Sequence, residues 1–121
     1  LKYIEADNQR RREIAQRYIL EIKNPKIILP KDPKDVLEHV WHLFVVRTSE
    51  RYSLQKYLLE NGIQTLIHYP IPPHQQEAYK NLNPLSFPIT EKIHREVLSL
   101  PISPVMEDEE VHKVIEIINK F

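Results

Sequence analysis

Apolar side chains recur at helical spacing near both ends of the chain and gather into short runs between them. Ile4, Ile14, Tyr18 and Ile22 share one face of a stretch whose middle, Asp7 to Arg12, is almost wholly polar. Ala15 and Leu20 lie nearby, and the spacing predicts a helix over Leu1–Ile22. Asn24-Pro25 stops it, because proline disfavours the helical conformation in the residue before it. Val111, Val114, Ile115 and Ile118 repeat the spacing behind the acidic run Glu107–Glu110. They predict a second long helix over Asp108–Lys120, its negative charges set against the positive end of the helix dipole.

The middle of the chain alternates shorter elements. Lys26–Leu29 is a short strand candidate. Glu38–Thr48 is the strongest one, dominated by Trp41, Leu43, Phe44, Val45 and Val46, and its nearly continuous apolar run predicts a central strand. Ser53 is placed to cap a helix running to Asn61, with Leu54, Tyr57 and Leu58 turned inward. Gly62 follows where a helix ends in the left-handed conformation. Ile63–Tyr69 reads as a strand, and His74–Asn81 as a short helix making contact through Ala78 and Tyr79. Thr90 is expected to cap a helix carrying Ile93, Val97 and Leu98, with Glu91 in its first turn. Leu98–Ile102 is extended and closed by Pro101 and Pro104. This order predicts an α/β (α+β) two-layer sandwich, a small and mainly antiparallel sheet backed by helices on one face.

Composition narrows the function. A length of 121 residues with 41% hydrophobic and 28% charged side chains describes one folded domain. Lys plus Arg and Asp plus Glu both total 17, and a net charge of zero argues against nucleic acid as the main partner. Arg10, Arg11 and Arg12 therefore read as a solvated or interdomain helix face. The chain has no cysteine, which rules out disulfides, thiolate metal sites and a cysteine nucleophile. No apolar run reaches the roughly 18 residues of a membrane span, and no signal segment opens the chain, so a soluble, cytoplasmic protein is expected. Ten prolines against one glycine mean turns built by fixing φ. Leu1 falls inside a predicted helix with neither methionine nor cap ahead of it, as expected of the tail of a longer chain.

One stretch carries candidate chemistry. Thr65–Leu66–Ile67–His68–Tyr69–Pro70–Ile71–Pro72–Pro73–His74–Gln75–Gln76 hangs two imidazoles and a phenol on a stiffened loop at a strand end. On the residues alone, His68, Tyr69 and His74 are either ligand groups or parts of a rigid corner. A metal is not expected. His39 and His42, three apart on a predicted strand, would point to opposite faces, and no carboxylate lies within the run from His68 to His74 to complete a site. His94 and His112 fall in amphipathic helices, as surface or half-buried residues. No Gly-x-Ser-x-Gly elbow or glycine-rich phosphate loop is present.

Taken together, several segments resemble the DegT/DnrJ/StrS-type sugar aminotransferases. They are Leu1–Lys2–Tyr3, Arg11–Arg12–Glu13–Ile14–Ala15–Gln16–Arg17–Tyr18, His39–Val40–Trp41–His42–Leu43–Phe44–Val45–Val46–Arg47, Leu58–Leu59–Glu60–Asn61–Gly62–Ile63–Gln64–Thr65, Ile67 to His74, and Leu98–Ser99–Leu100–Pro101–Ile102. The resemblance implies a part of a fold-type-I pyridoxal-phosphate enzyme that moves an amino group, usually from glutamate, onto a keto group of a nucleotide-linked sugar. Residues 1–24 would then be the end of a long interdomain helix and 25–121 the small C-terminal domain. The Schiff-base lysine, the carboxylate at the pyridine nitrogen and most of the phosphate cup belong to the family's large N-terminal domain. No catalytic or cofactor-binding residue is therefore expected in this chain, which alone would be inactive. The resemblance places His68, Tyr69 and His74 on the nucleotide-sugar side of the cleft, in a parent expected to be a homodimer. The alternative is a free-standing, non-catalytic module that binds a sugar nucleotide or a partner protein.

Overall fold

The computed structural model describes residues 2–121, so Leu1, where the first helix was expected to begin, lies outside the described residues. Helix α1 spans Ile4–Glu21 and ends at Ile22 in extended backbone, just before Asn24-Pro25. Its buried apolar residues all lie in the second half. Ile14, Ala15 and Tyr18 are buried in it, whereas Ile4 and Leu20 are exposed. Helix α4, Asp108–Lys120, has the predicted bounds and buries Val111, Val114, Ile115 and Ile118. Its start is a capping box: the Glu107 side chain accepts the Glu110 amide, and the Glu110 side chain accepts the Glu107 amide at 2.9 Å.

The sheet is smaller than the apolar runs predict. Strand β1 is Phe44–Arg47 and pairs antiparallel with β2, Val97–Leu100, in the register Phe44↔Leu100 to Arg47↔Val97. The expected strands over 26–29 and 63–69 shrink to single bridges, Ile28↔Arg47 and Leu66↔Ser99. β1 is still central, with Ile28 on one side and β2 on the other. The run 38–48 is broken at Trp41, which adopts φ 50, a left-handed conformation outside the extended region of a regular strand. Its indole is buried between the His39 ring at 4.2 Å and the Phe44 ring at 5.4 Å, and its amide donates to His39 Nδ1 at 2.9 Å. Aromatic packing therefore outweighs strand pairing here. His39 and His42 lie outside the strand, so the expected reason for their not chelating together does not apply.

Helix α2, Arg51–Glu60, starts two residues before Ser53, with the Thr48 hydroxyl accepting the Glu50 amide at 3.1 Å ahead of it. It buries Leu54 and Leu58 and leaves Tyr57 half-buried. Gly62 follows at φ 77, in the role its position predicts. Helix α3, Pro88–Glu96, opens with proline in its first turn rather than with a Thr90 cap. Residues 74–81 form 3-10 turns rather than a helix, and Ala78 and Tyr79 are exposed. Extended backbone at Gln76 and non-helical backbone at Tyr79 interrupt the segment and prevent a continuous α-helix.

Helix α1 packs on α4, α2 lies against β2 and α3 against β1. One core results, centred on Tyr18, Phe44, Val46, Leu54, Leu58, Leu98 and Ile118. The architecture is the predicted two-layer α/β arrangement, with fewer paired strand residues.

Candidate functional site

The proline-rich loop leaves the sheet at Leu66, whose amide and carbonyl both bond Ser99, at 3.2 and 2.8 Å. Two residues on, His68 Nδ1 lies 2.7 Å from the Ser99 hydroxyl. With Ser99 donating, Nε2 carries the imidazole proton and is the ring's free donor. Tyr69 then turns through φ 54. A non-glycine residue in that conformation costs about 1–2 kcal/mol, and such strain concentrates at functional sites. Its side chain is 75% exposed, while its carbonyl accepts a hydrogen bond from His94 Nδ1 at 2.6 Å.

His74 behaves differently. It is 4% exposed, with its ring edge-on to Phe87 at 4.9 Å and Nε2 donating to Glu91 Oε1 at 3.1 Å. Glu91 also accepts the Phe87 amide at 2.9 Å. That amide first, and His74 after it, hold the carboxyl below its usual range. The structure thus brings His68 and Tyr69 to the surface together and turns His74 inward as a tie between the loop and α3.

Two adjoining grooves flank β2. The smaller, about 300 Å³, is lined by His42, Leu43, Thr65, His68 and Ser99 among others. The larger, about 700 Å³, runs between α2 and the segment 101–106, past Tyr52, Leu59, Leu66, Ile102 and Met106. Thr65 borders both, and its buried hydroxyl has no hydrogen-bond partner in the protein. Such a group needs a partner from water or ligand. Thr65 and Ser99 were not singled out from the sequence, and His42 was weighed there only as a metal ligand. For Ser99 a signal existed, a lone hydroxyl between two leucines of a buried strand; for His42 and Thr65 only tertiary placement reveals the groove. Among the described residues, no three His, Asp or Glu side chains gather as a metal site. None of the helices there is long and apolar enough to cross a membrane.

This chain belongs to the DegT/DnrJ/EryC1/StrS aminotransferase family, whose model matches residues 1–119. It is 60% identical, over its whole length, to the dTDP-3-amino-3,6-dideoxy-alpha-D-galactopyranose transaminase of Aneurinibacillus thermoaerophilus, of which it covers 33%. The structure of Streptomyces venezuelae DesV superposes with a TM-score of 0.90 at 39% identity, covering 99% of this chain and 33% of that one. NtdA from Bacillus subtilis, with the cofactor PMP bound, superposes at 0.86 with 34% identity, covering 97% of this chain and 28% of that one. The chain thus spans about a third of the length of these relatives.

Pyridoxal phosphate requires a lysine amine, a group facing the ring nitrogen and a cradle for the phosphate. Among the described residues, Lys56 borders the larger groove, but its amine is exposed and faces Glu60 at 3.8 Å. Lys113 shares a third hollow with Glu110, whose carboxylate is taken by the α4 cap. The one glycine in the chain closes α2. These residues do not fit the cofactor.

Proposed function

We propose that this chain is the small C-terminal domain of an aminotransferase that transfers an amino group from glutamate to a keto group of a nucleotide-linked sugar. Residues 1–24 end the helix that links it to the rest of the protein, and residues 25–121 are the domain itself. Pyridoxal phosphate supplies the electron sink for amino transfer and is held by the part of the protein outside this chain. The residues here act on the substrate. The observation that carries the reading is the loop geometry: a strained, exposed Tyr69 next to a His68 that is fixed by Ser99 and lines the smaller groove.

A phenol and a neutral imidazole hydrogen-bond sugar hydroxyls and diphosphate oxygens without burying a fixed charge. Prolines at 70, 72 and 73 reduce the entropy lost when the loop closes on a ligand. His74 belongs to the same substrate-binding segment, as the residue that holds the loop down. The parent is a cytoplasmic homodimer on this reading, in line with the family resemblance.

The test is amino transfer by the full-length enzyme. Supplied with glutamate and a dTDP-linked 3-keto-6-deoxyhexose, it is expected to yield the amino sugar, read by mass, whereas the 121-residue chain alone yields none. His68→Ala in the full-length enzyme should weaken nucleotide-sugar binding about tenfold, the worth of a hydrogen bond to a charged group, with cofactor loading intact. A cofactor-loaded enzyme that aminates no dTDP- or UDP-linked keto sugar would overturn the assignment.

A further inference from the structure

Helix α3 buries none of its side chains, yet it is held to the rest of the molecule at several points. Arg47 of β1 pairs with Glu96 at 2.6 Å, and the Thr48 amide donates to the Glu96 carbonyl at 3.1 Å. Arg51, only 5% exposed, donates from one terminal nitrogen to the His94 carbonyl at 2.5 Å and from the other to the Tyr52 hydroxyl at 2.6 Å. No carboxylate pairs with Arg51 among the described residues, so its charge rests on the negative end of α3. A helix fixed so firmly while adding nothing to the core has another use.

Its free face shows that use. Glu91 and His94 lie one turn apart on one side of the helix, where side chains can act together. Glu91 holds His74 at one end of the proline-rich loop, and His94 holds the Tyr69 carbonyl at the other. The loop has few bonds of its own. The Gln75 and Gln76 amides reach the Pro72 and Pro73 carbonyls, and the Gln76 side chain reaches the Ile71 carbonyl. All three act at or beyond Ile71. The loop's three prolines, Pro70, Pro72 and Pro73, offer no amide for further pinning. Of the backbone groups at Tyr69, the carbonyl is therefore bound by a side chain from α3, at the residue whose φ is strained.

We propose that α3 is a two-point clamp in which Glu91 and His94 are positioning residues, fixing the backbone of Tyr69 so that Tyr69 and His68 meet the nucleotide sugar. This rests on the reading of the loop as the substrate-facing segment. Arg51 braces the clamp from behind through the His94 carbonyl. The imidazole of His94 serves through its Nδ1 proton, since a carbonyl oxygen only accepts.

The experiment uses the full-length enzyme in its pyridoxamine-phosphate form, to which an amino sugar binds without reacting. The probe is dTDP-3-amino-3,6-dideoxy-α-D-galactopyranose, and calorimetry reads its Kd. His94→Leu, which fills the space without a donor, is expected to raise Kd about tenfold. His94→Asn, which puts an amide nitrogen near the place of Nδ1, should return it to within about threefold of the parent, with equal thermal midpoints for both variants. Glu91→Ala releases the second point and is expected to raise Kd similarly, which decides the matter should His94→Leu fail to fold. Unchanged Kd in His94→Leu and Glu91→Ala, with a raised Kd in Tyr69→Ala, overturns the clamp and leaves the loop as the binding segment. Equal losses in His94→Leu and His94→Asn also overturn it, because the ring rather than the bond would then matter. Unchanged Kd in both Tyr69→Ala and His68→Ala removes the substrate-facing reading itself, and the clamp with it.

Discussion

The phenol of Tyr18 in α1 donates to the carbonyl of Pro101, 2.9 Å away in space and 83 positions along the chain. Its ring meets Phe44 edge-on at 5.0 Å, so one side chain joins the helix, the central strand and the segment after β2. The second half of α1 is thus part of the domain core.

Burial raises the Tyr18 phenol above its ordinary value of 10.0, against a smaller opposing pull from Arg17. A folded-state value above the unfolded one gives stability that is complete below about pH 10 and is lost as pH rises beyond it. Tyr18→Phe should cost about 1 kcal/mol at neutral pH through the lost hydrogen bond, and then decline less steeply in alkali. Urea midpoints followed from pH 7 to about pH 11 would show the two curves converging. Parallel decline would show that Tyr18 is not the group responsible.

The first turns of α1 have a different status. Tyr3 and Ile4 are exposed, and the earliest long-range hold is Arg10, which donates to the Met106 carbonyl at 2.7 Å and to Asp108 at 2.8 Å. Helical segments below roughly 12–15 residues are marginal in water without such support. In the 121-residue chain, amides up to Gln9 should exchange rapidly and those from Tyr18 to Ile22 slowly. Strong protection from Asp7 onward in a monomer would contradict this, since it would require support that the exposed turns do not receive.

Gly62 closes α2 at φ 77, with its amide on the Leu59 carbonyl and the Ile63 amide on the Leu58 carbonyl. A methyl group there would meet nothing closer than Lys113 Nζ at 3.5 Å, so space does not forbid alanine. The backbone does: Gly62→Ala should destabilise the domain by about 1–2 kcal/mol, the cost of a left-handed alanine. An unchanged denaturation midpoint would refute that account.

This glycine shows what local pattern can reveal, because a helix stop needs only its neighbours. The same holds for α4, whose acidic start and apolar spacing fix both ends, and for the proline-rich loop bearing His68 and Tyr69. Trp41 was illegible, since its left-handed turn depends on the rings of His39 and Phe44 and sits within an apolar run that reads as strand. The partners of the loop were illegible too. Ser99, Glu91 and His94 stand 31, 17 and 25 positions from the groups they hold, and nothing in their neighbourhoods announces those contacts. His74 was grouped with its neighbours by proximity, and folding separates it from them by turning it inward.

The Glu91–His74 contact gives the loop a defined acid sensitivity. The Phe87 amide, and secondarily His74, depress the Glu91 carboxyl below its ordinary value of 4.5. A depressed folded-state value gives a contribution that is complete above the ordinary value and is lost as pH falls through the folded one. The loop should therefore remain fastened above pH 4.5 and loosen below it, as protonation weakens the acceptor shared by the Phe87 amide and the His74 ring. Protection of the Gln75 and Gln76 amides, corrected for intrinsic exchange, is expected to drop across that window while the α4 amides stay protected. Glu91→Gln keeps an acceptor oxygen but has no proton to gain, so its protection should be flat over the same range. If the variant shows the same acid loss as the parent, the sensitivity originates elsewhere in the domain and Glu91 does not fasten the loop.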